Sequence, residues 1–293
     1  MTIDIMMPFY GDPTLFRQAV RSVLGQTSSD WHLTVLDDCY PDRAPGEWVR
    51  SLDDPRVTYL RNAENLGVTG NFQRSVDLSS ADHVVIMGCD DLMLPDYVES
   101  LEKAIRAFPD GSYYHPGVDV IDAEGRSVMP LADRLKALLR PKVADIAELR
   151  GEALTVGLLR GDWAYFPSIC WRRTELVDRG FRPEFEVALD LALQLEILMD
   201  GGSLVLFSQT TFRYRRHSAS VSSWTAANGA RFEEEAALFA EFAERADQLG
   251  WKKAARAARV HVTSRMNALT NLVGAIAQRD GAGVRTLLGH ALR

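Results

Sequence analysis

A chain of 293 residues with 46% hydrophobic and 25% charged content has an ordinary globular composition, enough for one large core or two fused ones. Its three cysteines form no CxxC and no pairing pattern, which argues against a disulfide framework and for a reducing cytoplasm. No apolar run is long enough to span a bilayer, and MTIDIMMPFYG lacks the features of a signal peptide. The −7 net charge is uneven: from Trp251 onward eight basic residues face Asp280 alone. Such a tail suits an anionic partner or the acidic body of its own chain, and equally a plain solvated helix face.

IDIMMPFY (3–10), an apolar run ending at a proline, reads as a buried strand. Leu15, Phe16, Val20, Val23 and Leu24 line one face of a helix over 13–27, with Gly25 placed to stop it. HLTVLDDC (32–39) is a second strand, APGEWVRSL (44–52) a short helix, and VTYLRN (57–62) a third strand. A loop with two glycines, NLGVTGNF, leads into a helix that runs to about Ser80. HVVIMGCDD (83–91) is the fourth strand and LPDYVESLEKAIRAFP (94–109) an amphipathic helix. A strand and turn follow over 113–125. LADRLKALL and IAELRGEALTVGLL both have helical patterns. ALDLALQLEILMDGG (188–202) is a helix with a glycine stop and LVLFSQTTFRYRRH (204–217) a strand. From about Gly229 the pattern is helical. Alternating strands and helices predict an α/β fold, a mostly parallel sheet covered on both faces, with a C-terminal helical segment.

Ligands of such sheets lie outside the carboxyl ends of the strands. Pro8 and Tyr10, the pair Asp37/Asp38 and the pair Asp90/Asp91 all fall there. Paired carboxylates suit a hard cation such as Mg²⁺ or Mn²⁺, which also takes phosphate oxygens and water. An isolated Asp-Asp more often belongs to a solvated turn, and two such pairs at strand ends of one layer are better evidence. No GxGxxG, P-loop, GxSxG or HExxH pattern supports a rival chemistry.

Three stretches in order, MMPFYGDPTLFRQAVRSVLGQTSSDWHLTVLDDC, NAENLGVTGNFQRSV and MGCDDLMLPDYVE, resemble the opening of inverting family 2 glycosyltransferases of the GT-A fold. The resemblance covers 3–105 strongly and 160–222 moderately. It implies a nucleotide-sugar half (1–110), an acceptor half of the same domain (111–225) and a helical extension (226–293). It also implies roles. Pro8, Tyr10, Asp38, Asn71 and Asp90 would bind the nucleotide, Tyr10 against the base and Asp38 to a pyrimidine imide. Asp91 would ligate Mn²⁺ or Mg²⁺, with His217 on the metal or the diphosphate. Asp190 would be the general base, with Glu186 its rival. Arg215 or Arg216 would pair with phosphate. Trp163, Tyr165 and Trp171 are placed to stack on a sugar or to pack the core. The family's Asp-x-Asp is here only Asp-Asp, since Cys89 and Gly88 precede it.

The expected activity is metal-dependent, inverting transfer of a sugar from a nucleotide-diphosphate donor, UDP- or dTDP-linked, to a carbohydrate or lipid-linked hydroxyl acceptor. The setting would be bacterial polysaccharide or glycoconjugate assembly, in the cytoplasm, with no nucleic-acid partner. A non-catalytic sugar-nucleotide binder is the alternative, and a nucleotidyltransferase a weaker one, since no Gly-rich basic loop follows the first strand. Ala255, Ala258, Val262, Met266, Leu269, Val273 and Ile276 fall on one face of a helix over 252–278. That face could meet a membrane surface, form a homodimer, or pack on the second half of the chain.

Overall fold

A computed structural model describes residues 1–185, 187–217, 230–277 and 281–292. Strands β1 (Ile3–Phe9), β2 (Trp31–Asp37), β3 (Val57–Arg61) and β4 (His83–Ile86) lie parallel in the order β3-β2-β1-β4. They are connected by α1 (Pro13–Leu24), α2 (Ala44–Arg50) and α3 (Gly67–Leu78). Asp12 starts α1 at the predicted place: its Oδ1 accepts the Thr14 and Leu15 amides at 2.7 and 3.0 Å, and Pro13 needs no donor. The strands are apolar throughout because both faces are covered. Met6, Leu36, Val84 and Ile86 enter one core cluster. Ile5, Met7, Val35 and Val85 enter the other, beneath α1.

The sheet continues through β5 (Leu92–Met93), β6 (Tyr113–Ile121), β7 (Ile146–Arg150), β8 (Cys170–Arg172) and β9 (Ser203–Arg215). Between them come α4 (Tyr97–Ala107), α5 (Leu131–Leu139), α6 (Gly151–Gly161), α7 (Arg173–Arg179) and α8 (Leu189–Met199). The short antiparallel β8 joins β4 to β6. β9 runs parallel to β6 and antiparallel to β5 and β7. Hence β1 to β4, β6 and β9 all end on one rim.

Four expectations change. The fourth strand stops at Ile86 rather than Asp91; Gly88 to Asp91 form a turn that brings β5 back onto β9. IAELR is strand, not helix: it pairs with Ser203–Phe207, and α6 starts only where Gly151 takes φ +75°, a conformation glycine adopts without strain. The tail forms α9 (Ala230–Gln248), α10 (Lys252–Val260), α11 (Val262–Ala277) and α12 (Gly281–Leu292). The single helix expected over 252–278 breaks at His261, whose φ is 28° and whose ring stacks on Phe239 at 4.8 Å. The expected common face therefore divides. Ala255 and Ala258 are fully buried with Leu154 and Leu158 of α6, whereas Val262, Met266 and Leu269 are exposed. Val273 and Ile276 lie outside the described side chains. No helix among the described residues is long and apolar enough to cross a membrane.

Candidate active site

The two carboxylates that close β2 have different work. Asp37 is fully buried. It accepts the Tyr40 amide and the Arg61 guanidinium, both at 2.7 Å, and the Tyr59 hydroxyl. It locks β2 to β3. Asp38 Oδ1 receives Asn62 Nδ2 at 2.7 Å and the Leu66 amide at 2.8 Å. Asn71 supports this arrangement: its Oδ1 accepts from Asn62 Nδ2 at 3.1 Å and its Nδ2 donates to Leu36 O at 3.0 Å. It is 3% exposed, so it orders the loop that carries Asp38's partners. Cys39, with φ 59°, turns the chain away directly after Asp38. Tyr10 is 55% exposed and meets Tyr40 edge-on at 5.5 Å. Pro8 lies past the last β1–β4 pair, Met6 with Ile86, where its missing N–H costs no ladder bond on that side.

The turn after β4 holds the second pair. A Cβ on Gly88 would stand 2.5 Å from Asp91 Oδ2 and 3.1 Å from Asp90 Oδ1. Both carboxylates thus fold over the one residue with no side chain. Asp91 is 1% exposed, and its Oδ1 accepts the Arg215 amide at 2.7 Å. Burial first, then the charge of Asp90, push its carboxyl well above the ordinary range, against the pull of Arg215. His217 Nε2 lies 2.7 Å from Asp90 Oδ2. That contact, helped by the Asp90 charge, raises the imidazole pKa against partial burial. Among the described residues, no three His, Cys, Asp or Glu side chains surround a common point. The set fits a cation that keeps waters and takes phosphate oxygens, and does not fit an all-protein cage.

The two arginines expected on phosphate have protein partners. Arg215 is buried and donates to the carbonyls of Asp90, Asp122 and Ala123 and to Gln18. Arg216 forms a two-bond pair with Asp133 at 2.6 and 2.8 Å. Asp133 also accepts the Tyr165 hydroxyl at 2.8 Å. The Lys136 ammonium lies 5.0 Å from the centre of the Tyr165 ring, 3.2 Å from Ala164 O and 3.8 Å from Asp162. Asp190, half-buried in the first turn of α8, falls under the same charges. Burial and the Asp162 carboxylate push it up to about 7, and Lys136 pulls it down. Contacts thus join Arg216, Asp133, Tyr165 and Lys136, and the Lys136 charge acts in turn on Asp190. Asp133, Lys136 and Asp162 have no motif of their own. The readable sign was a helix, 131–139, with an aspartate and a lysine amid leucines.

Trp163 and Trp171 are fully buried, Trp171 stacked on Tyr113 at 5.2 Å. They pack the core and are not available to stack on a sugar. Glu186 lies outside the described residues.

The comparisons agree with this architecture. The TarS protein of S. aureus, in complex with UDP-GlcNAc, superposes with a TM-score of 0.65 at 13% identity, covering 98% of this chain and 90% of that one. At that identity the likeness establishes the fold, which is GT-A. Residues 4–148 match Glycosyl transferase family 2, and the chain belongs to that family. Among curated relatives, WcaA of Escherichia coli, named as a candidate colanic acid biosynthesis glycosyl transferase, is 30% identical over 95 residues, 32% of this chain and 34% of its own. The succinoglycan biosynthesis protein ExoW of Rhizobium meliloti is 25% identical over 160 residues, 49% of this chain and 50% of its own. The chain spans half or less of the length of each.

Proposed function

We propose that the protein transfers a sugar, with inversion, from a nucleotide-diphosphate donor to a hydroxyl acceptor in polysaccharide or glycoconjugate assembly. The observation that carries this reading is the Asp90/Asp91 pair over bare Gly88 at the carboxyl rim of the sheet. A buried carboxylate with a raised pKa beside a second carboxylate is a poor structural element and a good cation ligand. Asp91, with Asp90, would hold Mn²⁺ or Mg²⁺, which when bound would neutralise charge on the leaving diphosphate.

The protein's own groups do the rest. Tyr10 offers an exposed ring face to a nucleobase. Both protein bonds to Asp38 fall on Oδ1, so Oδ2 would receive a pyrimidine imide N–H, as UDP or dTDP presents. Asn71 holds that aspartate's loop. His217, through Asp90, keeps the carboxylate pair in place. Asp190 takes the proton of the acceptor hydroxyl as that oxygen attacks the anomeric carbon, and the bond to the diphosphate breaks on the opposite face. A carboxylate pushed up to about 7 is a stronger base than an ordinary one and is about half ionised at neutrality. The names of WcaA and ExoW support a polysaccharide setting.

The test is release of nucleoside diphosphate from a panel of UDP- and dTDP-sugars with Mn²⁺ and simple glycoside acceptors. Turnover that disappears in Asp190→Asn supports the assignment. Donor binding with no turnover in the wild type would favour a non-catalytic binder, and unchanged turnover in Asp190→Asn would exclude that base.

A further inference from the structure

Helix α5 (Leu131–Leu139) is mounted with its polar face inward. Asp133 is 1% exposed and bound to Arg216 and Tyr165. Lys136 reaches Ala164 O, and Arg140, just past the helix, donates to the carbonyls of Pro116 and Phe207 at 3.1 and 2.8 Å. Leu139 is the apolar anchor, close enough to Gly161 that a Cβ there would overlap it. The other leucines face solvent: Leu131 is 72% exposed, Leu135 38% and Leu138 78%, with Met129 at 51% just before the helix. At about 100° per residue the three leucines fall within about 60° of one another, one stripe on the outer face. A water-soluble surface helix normally shows the reverse arrangement.

The exposed charges of 131–142 have one sign. Within 131–142 the cations are Arg134, Lys136, Arg140 and Lys142, and the single acid, Asp133, is neutralised by Arg216. Arg134 and Lys142 are exposed. An apolar stripe flanked by cations matches an anionic lipid surface, whose headgroups take the cations while the acyl boundary takes the leucines. A second copy fits poorly. A two-fold pairing over so short a helix would set like cations near each other and bury far less than the roughly 800 Å² per partner of a stable interface.

We infer that α5 and its flanks dock the protein on an anionic phospholipid bilayer. The contact is independent of the donor reading. It would hold the Lys136–Asp162 side of the Asp190 site at the membrane surface, where a lipid-linked acceptor would be met.

Flotation of the full chain with phosphatidylglycerol–phosphatidylcholine vesicles, against phosphatidylcholine alone, tests this. The expected result is binding to the anionic vesicles that falls about tenfold or more in a combined Leu131→Gln, Leu135→Gln, Leu138→Gln variant. Binding should also weaken in Arg134→Glu with Lys142→Glu, which leaves the leucines in place and serves if the first variant misfolds. Val262→Gln with Met266→Gln, on exposed positions of α11, should bind as the wild type does. No flotation by the wild type, or loss confined to the α11 variant, would overturn the proposal. So would a wild type that ignores vesicles but sediments as a dimer which the leucine variant dissociates.

Discussion

His217 Nε2 donates a 2.7 Å hydrogen bond to Asp90 Oδ2, while two residues earlier the Arg215 amide donates at the same distance to Asp91 Oδ1. One short segment at the end of β9 therefore grips both carboxylates of the turn after β4. The residues are more than a hundred positions apart in sequence, and the nine-stranded sheet is what brings them together. Holding two carboxyl groups in place ahead of the proposed cation would be preorganisation.

Gly88→Ala tests the geometry of that turn. Its Cβ would intrude on Asp91 Oδ2 at 2.5 Å and force the carboxylate pair apart. Nucleoside-diphosphate affinity measured by calorimetry with Mn²⁺ should fall by about tenfold or more, since misplacement of about 1 Å is enough for such losses. Circular dichroism should be unchanged. Wild-type affinity would mean the pair is not the ligand.

Asp91→Asn removes the charge and keeps the shape. Turnover should fall on the order of 10³-fold, the value of several kcal/mol of leaving-group stabilisation. The melting temperature should hold or rise, because a buried carboxylate repelled by Asp90 is relieved. A steep loss of stability would instead assign Asp91 a structural role.

Adjacent aspartates at the end of β2 should behave oppositely. Asp37→Ala strands the partly buried Arg61 and the Tyr59 hydroxyl, and should cost about 3–5 kcal/mol in denaturant unfolding. Asp38→Ala should cost less stability and more nucleotide affinity. The reverse pattern would exchange the roles assigned to them.

Asp190 carries a pH signature. With Asp190 as the proposed base, active in its ionised form, kcat/KM should rise with pH along a limb centred near 7. Asp190→Asn should lower turnover about 10²–10⁴-fold. Asp162→Asn removes a repelling charge and should shift the limb to lower pH, and Lys136→Met should shift it higher. For stability the sign is fixed by the raised pKa. The contribution is fully present below the unfolded value of about 3.9 and is lost as pH rises through about 7. Asp190→Asn should therefore gain on the wild type in melting temperature across that window.

Much of this was legible in the sequence where local pattern and chemistry coincide. The parallel strands read as continuous apolar runs, and the spacing of Leu15, Phe16, Val20, Val23 and Leu24 marked α1. Asp38, Asp90 and Asp91 stood out as carboxylates at strand ends. What was not legible depends on distant pairing. IAELR has no strand signature of its own and becomes β7 only because β9 lies beside it. Arg215 and Arg216 read as phosphate binders because their partners, the Asp122 carbonyl and Asp133, are remote in sequence. Trp163 and Trp171 have the composition of a sugar platform and the burial of a core.

The most direct measurement is a thermal-shift panel of UDP, dTDP, GDP, CMP and ADP, each with and without Mn²⁺, on the wild type and Asp91→Asn. A ligand that binds only the native state raises its stability. The account predicts a rise with UDP or dTDP that requires Mn²⁺ and vanishes in Asp91→Asn. An equal rise in the variant, or none with any nucleotide, would contradict it.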